Sequence, residues 1–185
     1  MKIQDNQLLL KVSNIAINSG IRIMEYYNNE IIVKEKEDKT PVTKADLDAN
    51  DIILSELQKL EDRFPILSEE SLVKWNERKI WQKYWLVDPL DGTKEFINKN
   101  DEFTVNISLI ENNNPVLGVI YAPALSLLYF AKKNFGSFKI NSCSILNNLN
   151  DAKEINVLKK DKLRIIGSRS HSNSNFLSWV DKKFK

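Results

Sequence analysis

Asp88 and Asp91 stand on either side of Pro89-Leu90, and Gly92-Thr93 follow them directly. Two acids at that spacing on a tight turn can both face one cation. A backbone carbonyl between them can join, which makes the all-oxygen shell that hard Mg²⁺ prefers. Nitrogen and sulfur ligands are absent from the neighbouring sequence. A glycine next in line lets the backbone approach a ligand, and Lys94-Glu95-Phe96-Ile97 suggest a helical turn whose free N–H groups suit phosphate oxygens. Gly92 and Thr93 therefore read as a phosphate cradle. Taken alone, Asp-Pro-Leu-Asp-Gly is equally an ordinary turn with two solvated aspartates. The acids around it shift that balance. Glu69 and Glu70 follow an apolar run upstream and offer a third carboxylate, or else form a solvated pair on a loop. Asp46 falls three residues after Thr43, the spacing of a capping box, and on spacing alone that structural role is the economical one.

Elements that can hold these residues are legible in the hydrophobic pattern. Leu8, Val12, Ile15, Ala16, Ile23 and Met24 recur at helical spacing between Gln7 and Tyr27, with Gly20 as a weak point. Lys34 to Lys39 reads as a charged connector. Leu47, Ile53, Leu54, Leu57 and Leu60 then predict a second helix starting near Thr43, its cap. Phe64 to Ser68 reads as a short strand delivering Glu69 and Glu70, and Tyr84 to Val87 as a buried one delivering Asp88. Strict alternation from Phe103 to Ile110, a turn over Asn112-Asn113-Asn114-Pro115 and the apolar run from Val116 to Tyr121 predict an antiparallel hairpin. Leu127 to Ala131 and Phe138 to Ile140 flank another turn at Asn134-Phe135-Gly136, while Leu163 to Gly167 suggests a new strand and Phe176 to Val180 a new helix.

Composition narrows the class. With 185 residues and 42% hydrophobic side chains, the chain can bury a core, which excludes a disordered or fibrous protein. Lysine plus arginine exceed the acids by 27 to 25, too small a surplus for a binder of nucleic-acid polymers. No run approaches the roughly 20 apolar residues of an integral membrane segment. The single cysteine, Cys143, cannot close an internal disulfide and reads as a packing or surface residue in a reducing cytoplasm.

Four segments occur in the order and spacing of the inositol-monophosphatase-like superfamily, and the chain resembles it there: Pro41-Val42-Thr43-Lys44-Ala45-Asp46, Leu67-Ser68-Glu69-Glu70, Trp85 to Phe96, and Gly118-Val119-Ile120-Tyr121-Ala122-Pro123. Lys94-Glu95-Phe96 and Gly167-Ser168-Arg169-Ser170-His171 resemble its CysQ branch, the 3'(2'),5'-bisphosphate nucleotidases. The resemblance implies an α/β sugar-phosphatase fold, a layered αβαβα sandwich. Its N-terminal helices lie on a mostly antiparallel sheet in residues 1–155, and residues 156–185 begin an incomplete second α/β unit.

For chemistry, the resemblance implies that Glu69, Asp88, the carbonyl of Leu90 and Asp91 hold two or three Mg²⁺ ions. Thr93, paired with Asp46, would orient the attacking water. Glu69, Leu90, Asp91, Gly92 and Thr93 would meet the phosphate of a small phosphorylated nucleotide, and Ser168 and His171 its nucleoside end. The implied reaction is hydrolysis of adenosine 3',5'-bisphosphate to AMP and phosphate, in sulfur assimilation, with inhibition by Li⁺. Inositol monophosphate or another small phosphate ester is the alternative substrate. The setting is cytoplasmic, with peripheral attachment at the cytoplasmic face of the inner membrane as a variant, and a homodimer is open.

Members of the superfamily carry a later Trp-Asp-x-x-Ala segment whose aspartate completes the metal shell, and these 185 residues contain none. A fragment lacking the last carboxylate, a chain completed by a complementing C-terminal piece, or a non-catalytic phosphate binder is therefore also expected. Apolar surface and an unpaired strand edge should then be exposed.

Overall fold

The computed structural model describes residues 6–29, 33–35, 41–142, 144–157 and 174–183. The chain divides into two compact units, Met1–Ile155 and Asn156–Lys185.

In the first unit, helix α1 (Gln7–Tyr27) turns Leu9, Val12, Ile15, Ala16, Ile23 and Tyr27 into the core, as the 3.6-residue period predicts. Gly20 does not break it. A methyl group there would lie 2.5 Å from the Tyr121 ring and 3.1 Å from the Pro123 side chain, so glycine is what lets α1 reach the sheet. Helix α2 (Lys44–Gln58) opens with Thr43 as its cap and packs beside α1. Tyr26 Oη and Arg22 both donate to Asp48 Oδ2, at 2.6 and 2.7 Å, and fix that pairing.

The helices lie on a seven-stranded sheet of order β3-β4-β5-β6-β7-β8-β9, formed by β3 (Ile66–Ser68), β4 (Lys83–Asp91), β5 (Thr104–Glu111), β6 (Asn114–Ala122), β7 (Leu127–Lys132), β8 (Gly136–Asn141) and β9 (Lys153–Glu154). Only β3 and β4 run parallel; every other neighbour pair is antiparallel. Trp85, Val87, Val105, Ile107, Leu117, Val119, Leu128 and Phe130 alternate inward to meet the helices. This is the expected mixed α/β architecture of helices on a mostly antiparallel sheet.

Two local expectations are corrected, and one element is new. The connector is structured at its start, because β1 (Val33–Glu35) pairs antiparallel with β2 (Pro41–Thr43). The β5–β6 turn is the two residues Asn112-Asn113, both with positive φ (+49° and +60°), the pair that matches the twist of a tight hairpin. Pro115 is already within β6 at a register shift, where its missing N–H costs little. A short helix α3 (Trp75–Arg78), which the hydrophobic period does not reveal, bridges β3 and β4. The outer face of the sheet leaves Leu86 42% and Ile120 47% exposed.

Helix α4 (Thr93–Ile97) follows β4. It is held by an aromatic cluster in which Tyr27, at the end of α1, packs against Phe96 and Phe103 with ring centroids 5.4 and 4.8 Å away. The second unit is described through helix α5 (Ser174–Lys183), which includes the expected Phe176–Val180 segment, with the Phe176 and Trp179 rings stacked. The strand expected over Leu163–Gly167, Cys143, Ser168 and His171 lie outside the described residues.

Candidate metal and phosphate site

The carboxylates meet because two parallel strands end together. Ile66 pairs with Trp85 and Ser68 with Val87, so Glu69 emerges beside Asp88, and its N–H donates to the Val87 carbonyl at 3.2 Å. A buried hydroxyl–amide chain ties this end of β3 to α2: Ser68 Oγ donates to Asn50 Oδ1 at 2.6 Å, and Asn50 Nδ2 donates to Ser71 Oγ at 3.1 Å.

Asp88 and Asp91 are not on a turn. β4 runs on through Asp91, and residues three apart on a regular strand point to opposite faces. Opposite β5 the register is Asp88↔Asn106 and Asp91↔Thr104, so three steps along β4 match two along β5. That bulge supplies one extra residue and cancels the odd spacing. Both aspartates consequently face the same side as Asn106, whose Nδ2 donates to Asp91 Oδ2 at 3.1 Å.

Asp88 is electrostatically out of balance. Burial, then the charges of Glu69 and Asp91, push its carboxyl up to about 7, while a bond from the Leu90 N–H pulls the other way and a shared hydrogen bond with Glu69 adds to the rise. Its Oδ1 is buried without a hydrogen-bond partner. A buried acceptor without a donor, flanked by like charges, is the environment a divalent cation relieves. Among the described residues no three carboxylate, imidazole or thiol groups converge closely enough to hold a metal ion by themselves. The donors on offer are oxygens, which hard Mg²⁺ takes, and Mg²⁺ keeps several waters and needs only one or two carboxylates.

Asp46 is the opposite case. It is 1% exposed, and its two oxygens divide the work. Oδ2 accepts from the Thr43 N–H at 2.8 Å and the Thr43 hydroxyl at 2.5 Å, completing the capping box, while Oδ1 accepts from Thr93 Oγ1 at 3.0 Å. The Thr93 hydroxyl also lies 3.3 Å from the Leu90 carbonyl, so its single proton has two acceptors in reach. Gly92, the cap of α4, has φ +92°, and a Cβ there would sit 2.8 Å from the Glu102 carbonyl. Only glycine fits, because the backbone there lies against Glu102 and Phe103, just before β5.

Glu69 and Asp88 line a cavity of about 490 Å³ with Asn106, Ser108, Gly118 and Ile120 on the sheet's outer face. A second cavity of about 460 Å³, beside Lys11 and Asn14, has Glu56 as its only acid, and that residue is bonded to Lys59. Of the residues expected from sequence, Glu69, Asp88 and Asp91 come together electrostatically, Thr93 is bonded to Asp46, and the Leu90 carbonyl lies beside Thr93. Asn106 was not expected. Its only signal is a polar residue at a half-buried position of an alternating strand.

Residues 5–183 match the inositol monophosphatase family. The chain belongs to that family. Among curated relatives, it is 42% identical over 175 residues to the 3'(2'),5'-bisphosphate nucleotidase CysQ of Salmonella typhimurium, covering 94% of this chain and 68% of that protein. It is 46% identical over 136 residues to CysQ of Haemophilus influenzae, covering 73% of this chain and 51% of that protein. The chain thus spans between about half and two thirds of the length of these relatives. A crystal structure of CysQ from Bacteroides thetaiotaomicron superposes with a TM-score of 0.80 at 31% identity, covering 98% of this chain and 69% of that one. Like its sequence, the fold of this family member carries no helix among the described residues long and apolar enough to cross a membrane.

Proposed function

We propose that the protein is a Mg²⁺-dependent 3'(2'),5'-bisphosphate nucleotidase that hydrolyses adenosine 3',5'-bisphosphate to AMP and phosphate. The observation that carries this reading is the Thr93–Asp46 bond, 3.0 Å long, made next to the unbalanced carboxylates of a chain most of which aligns with CysQ nucleotidases.

Glu69, Asp88, the Leu90 carbonyl and Asp91 are the residues that would hold Mg²⁺, in two or three ions. When bound, the metal supplies positive charge for the phosphate and lowers the pKa of water. Thr93 Oγ1 can take a proton from the attacking water while passing its own to Asp46 Oδ1. Asp46 Oδ2 remains anchored to Thr43, so the accepting carboxylate does not turn away. The N–H groups after Gly92 would offer neutral donors to the phosphate oxygens. Ser168 and His171 are assigned the nucleoside end on the resemblance of their segment to the nucleotidase branch. A cytoplasmic setting accords with the lone thiol of Cys143.

The test is phosphate release by the purified chain in Mg²⁺, with adenosine 3',5'-bisphosphate and inositol 1-phosphate as parallel substrates. The nucleotide should be strongly preferred, and Asp91→Asn should abolish turnover. Preference for inositol phosphate would overturn the assignment of substrate, and absence of turnover on both would overturn that of activity.

A further inference from the structure

The bulge brings an uncharged residue into the carboxylate group, and the hydrogen bonds of that residue form a chain. Thr104 Oγ1 lies 3.1 Å from Asn106 Oδ1, and Asn106 Nδ2 lies 3.1 Å from Asp91 Oδ2. The direction is set by chemistry. A carboxylate only accepts, so Asn106 must present its NH₂ to Asp91, and its carbonyl oxygen then faces Thr104, which has an O–H to give. The reverse amide orientation would oppose two acceptors. Thr104 and Asn106 are two apart on β5 and share a face, and Thr104 is the strand partner of Asp91 itself.

We propose that Asn106, oriented by Thr104, is a positioning residue that holds Asp91 in the rotamer needed for divalent-cation binding. The proposal rests on the metal-site reading above. Asp91 is exposed and follows a bulge, so the bond from Asn106, more than packing, selects its rotamer. The Asn106 amide takes Oδ2 and thereby aims Oδ1. A neutral donor suits the place: it draws charge from Asp91, whereas an acid at 106 would add repulsion beside Asp88, which pairs with Asn106 in the sheet. A lysine there would compete with the cation. This is the outer partner that fixes the orientation of a metal-binding carboxylate, a role whose loss typically weakens metal affinity by about 10–100-fold.

The test measures Mn²⁺ affinity of the full chain from the EPR signal of the free ion, with the urea unfolding midpoint as a check on folding. Asn106→Ala should weaken Mn²⁺ binding by about 10–100-fold. Thr104→Val, which replaces the hydroxyl by a methyl and keeps the strand's β-branched shape, should weaken it by less, and Thr104→Ser should restore it. Because Thr104 acts through Asn106, the double variant should bind no worse than Asn106→Ala alone. If wild type binds, Asp91→Asn loses the ion and both Asn106→Ala and Thr104→Val retain it, the proposal is overturned and the metal-site reading stands. Additive losses in the double variant overturn it as well. Should Asn106→Ala fail to fold, Thr104→Val and its serine rescue decide alone. Failure of wild type to bind Mn²⁺ overturns the metal-site reading and the proposal together.

Discussion

Asp46 and Asp88 are the same residue type at two ends of one site, and they are held in opposite ways. Asp46, at the start of α2, receives hydrogen bonds from the Thr43 backbone, the Thr43 hydroxyl and the Thr93 hydroxyl. Asp88, at the bulge of β4, has a buried oxygen with no donor and carboxylate neighbours that push it up to about 7. One acid is saturated by the protein and the other is not. The saturated one is suited to hold a geometry and accept a proton at a fixed point, and the unsaturated one is suited to receive a cation.

Turnover should separate them most sharply. Thr93→Val removes the hydroxyl that links Asp46 to the site and leaves the capping box intact, so phosphate release should fall by about 10²–10⁴-fold with Mn²⁺ affinity near wild type. A parallel loss of metal affinity would show that Thr93 belongs to the cation half and break the division.

Next in size is the coupling of pH to Mg²⁺. With its pKa raised, folded Asp88 keeps a proton that the unfolded chain gives up near the ordinary carboxylate range. The metal-free protein therefore loses stability as pH rises from about 4 to about 7, and the loss levels off above that. A cation competes for the same carboxylate. Saturating Mg²⁺ should stabilise the protein by about 2.7 kcal/mol at a hundred times its dissociation constant. Thermal melts should show that gain at pH 8 and much less of it at pH 5.5, and an equal gain at both would mean Asp88 is not where the ion binds.

The smallest effect is the most direct contrast. In metal-free protein, Asp46→Asn should destabilise by about 1–2 kcal/mol, because an amide cannot accept at both ends and the cap is weakened. Asp88→Asn should leave stability unchanged or raise it, since it removes a repelled charge. Urea denaturation of the two variants in EDTA checks this, and matching losses would erase the distinction between the acids.

Much of this was legible in the sequence, and most of what was not depends on residues distant in the chain. The helix period of α1, the Thr43 cap with Asp46 three residues on and the alternation of β5 are local signals, each readable within a few residues. Gly20 looked like a flaw in α1 because its reason, the Tyr121 ring, lies a hundred residues away in sequence. α3 is too short to show a period.

By itself the sequence determined the chemical cast: the acids, the glycine at the cap of α4, the threonine after it, and the family whose spacing they match. Only the tertiary structure decided how the cast is divided. An odd spacing of three on a strand would have sent Asp88 and Asp91 to opposite faces, and the shift in register against β5 turns them to the same one. Burial and two neighbouring charges, rather than residue type, set Asp88 apart from Asp46. The reach of Asp46 across to Thr93, and of Asn106 to Asp91, exists only once α2 and β5 have packed against β4. Strand register and desolvation are properties of the assembled sheet, and no window of sequence contains them.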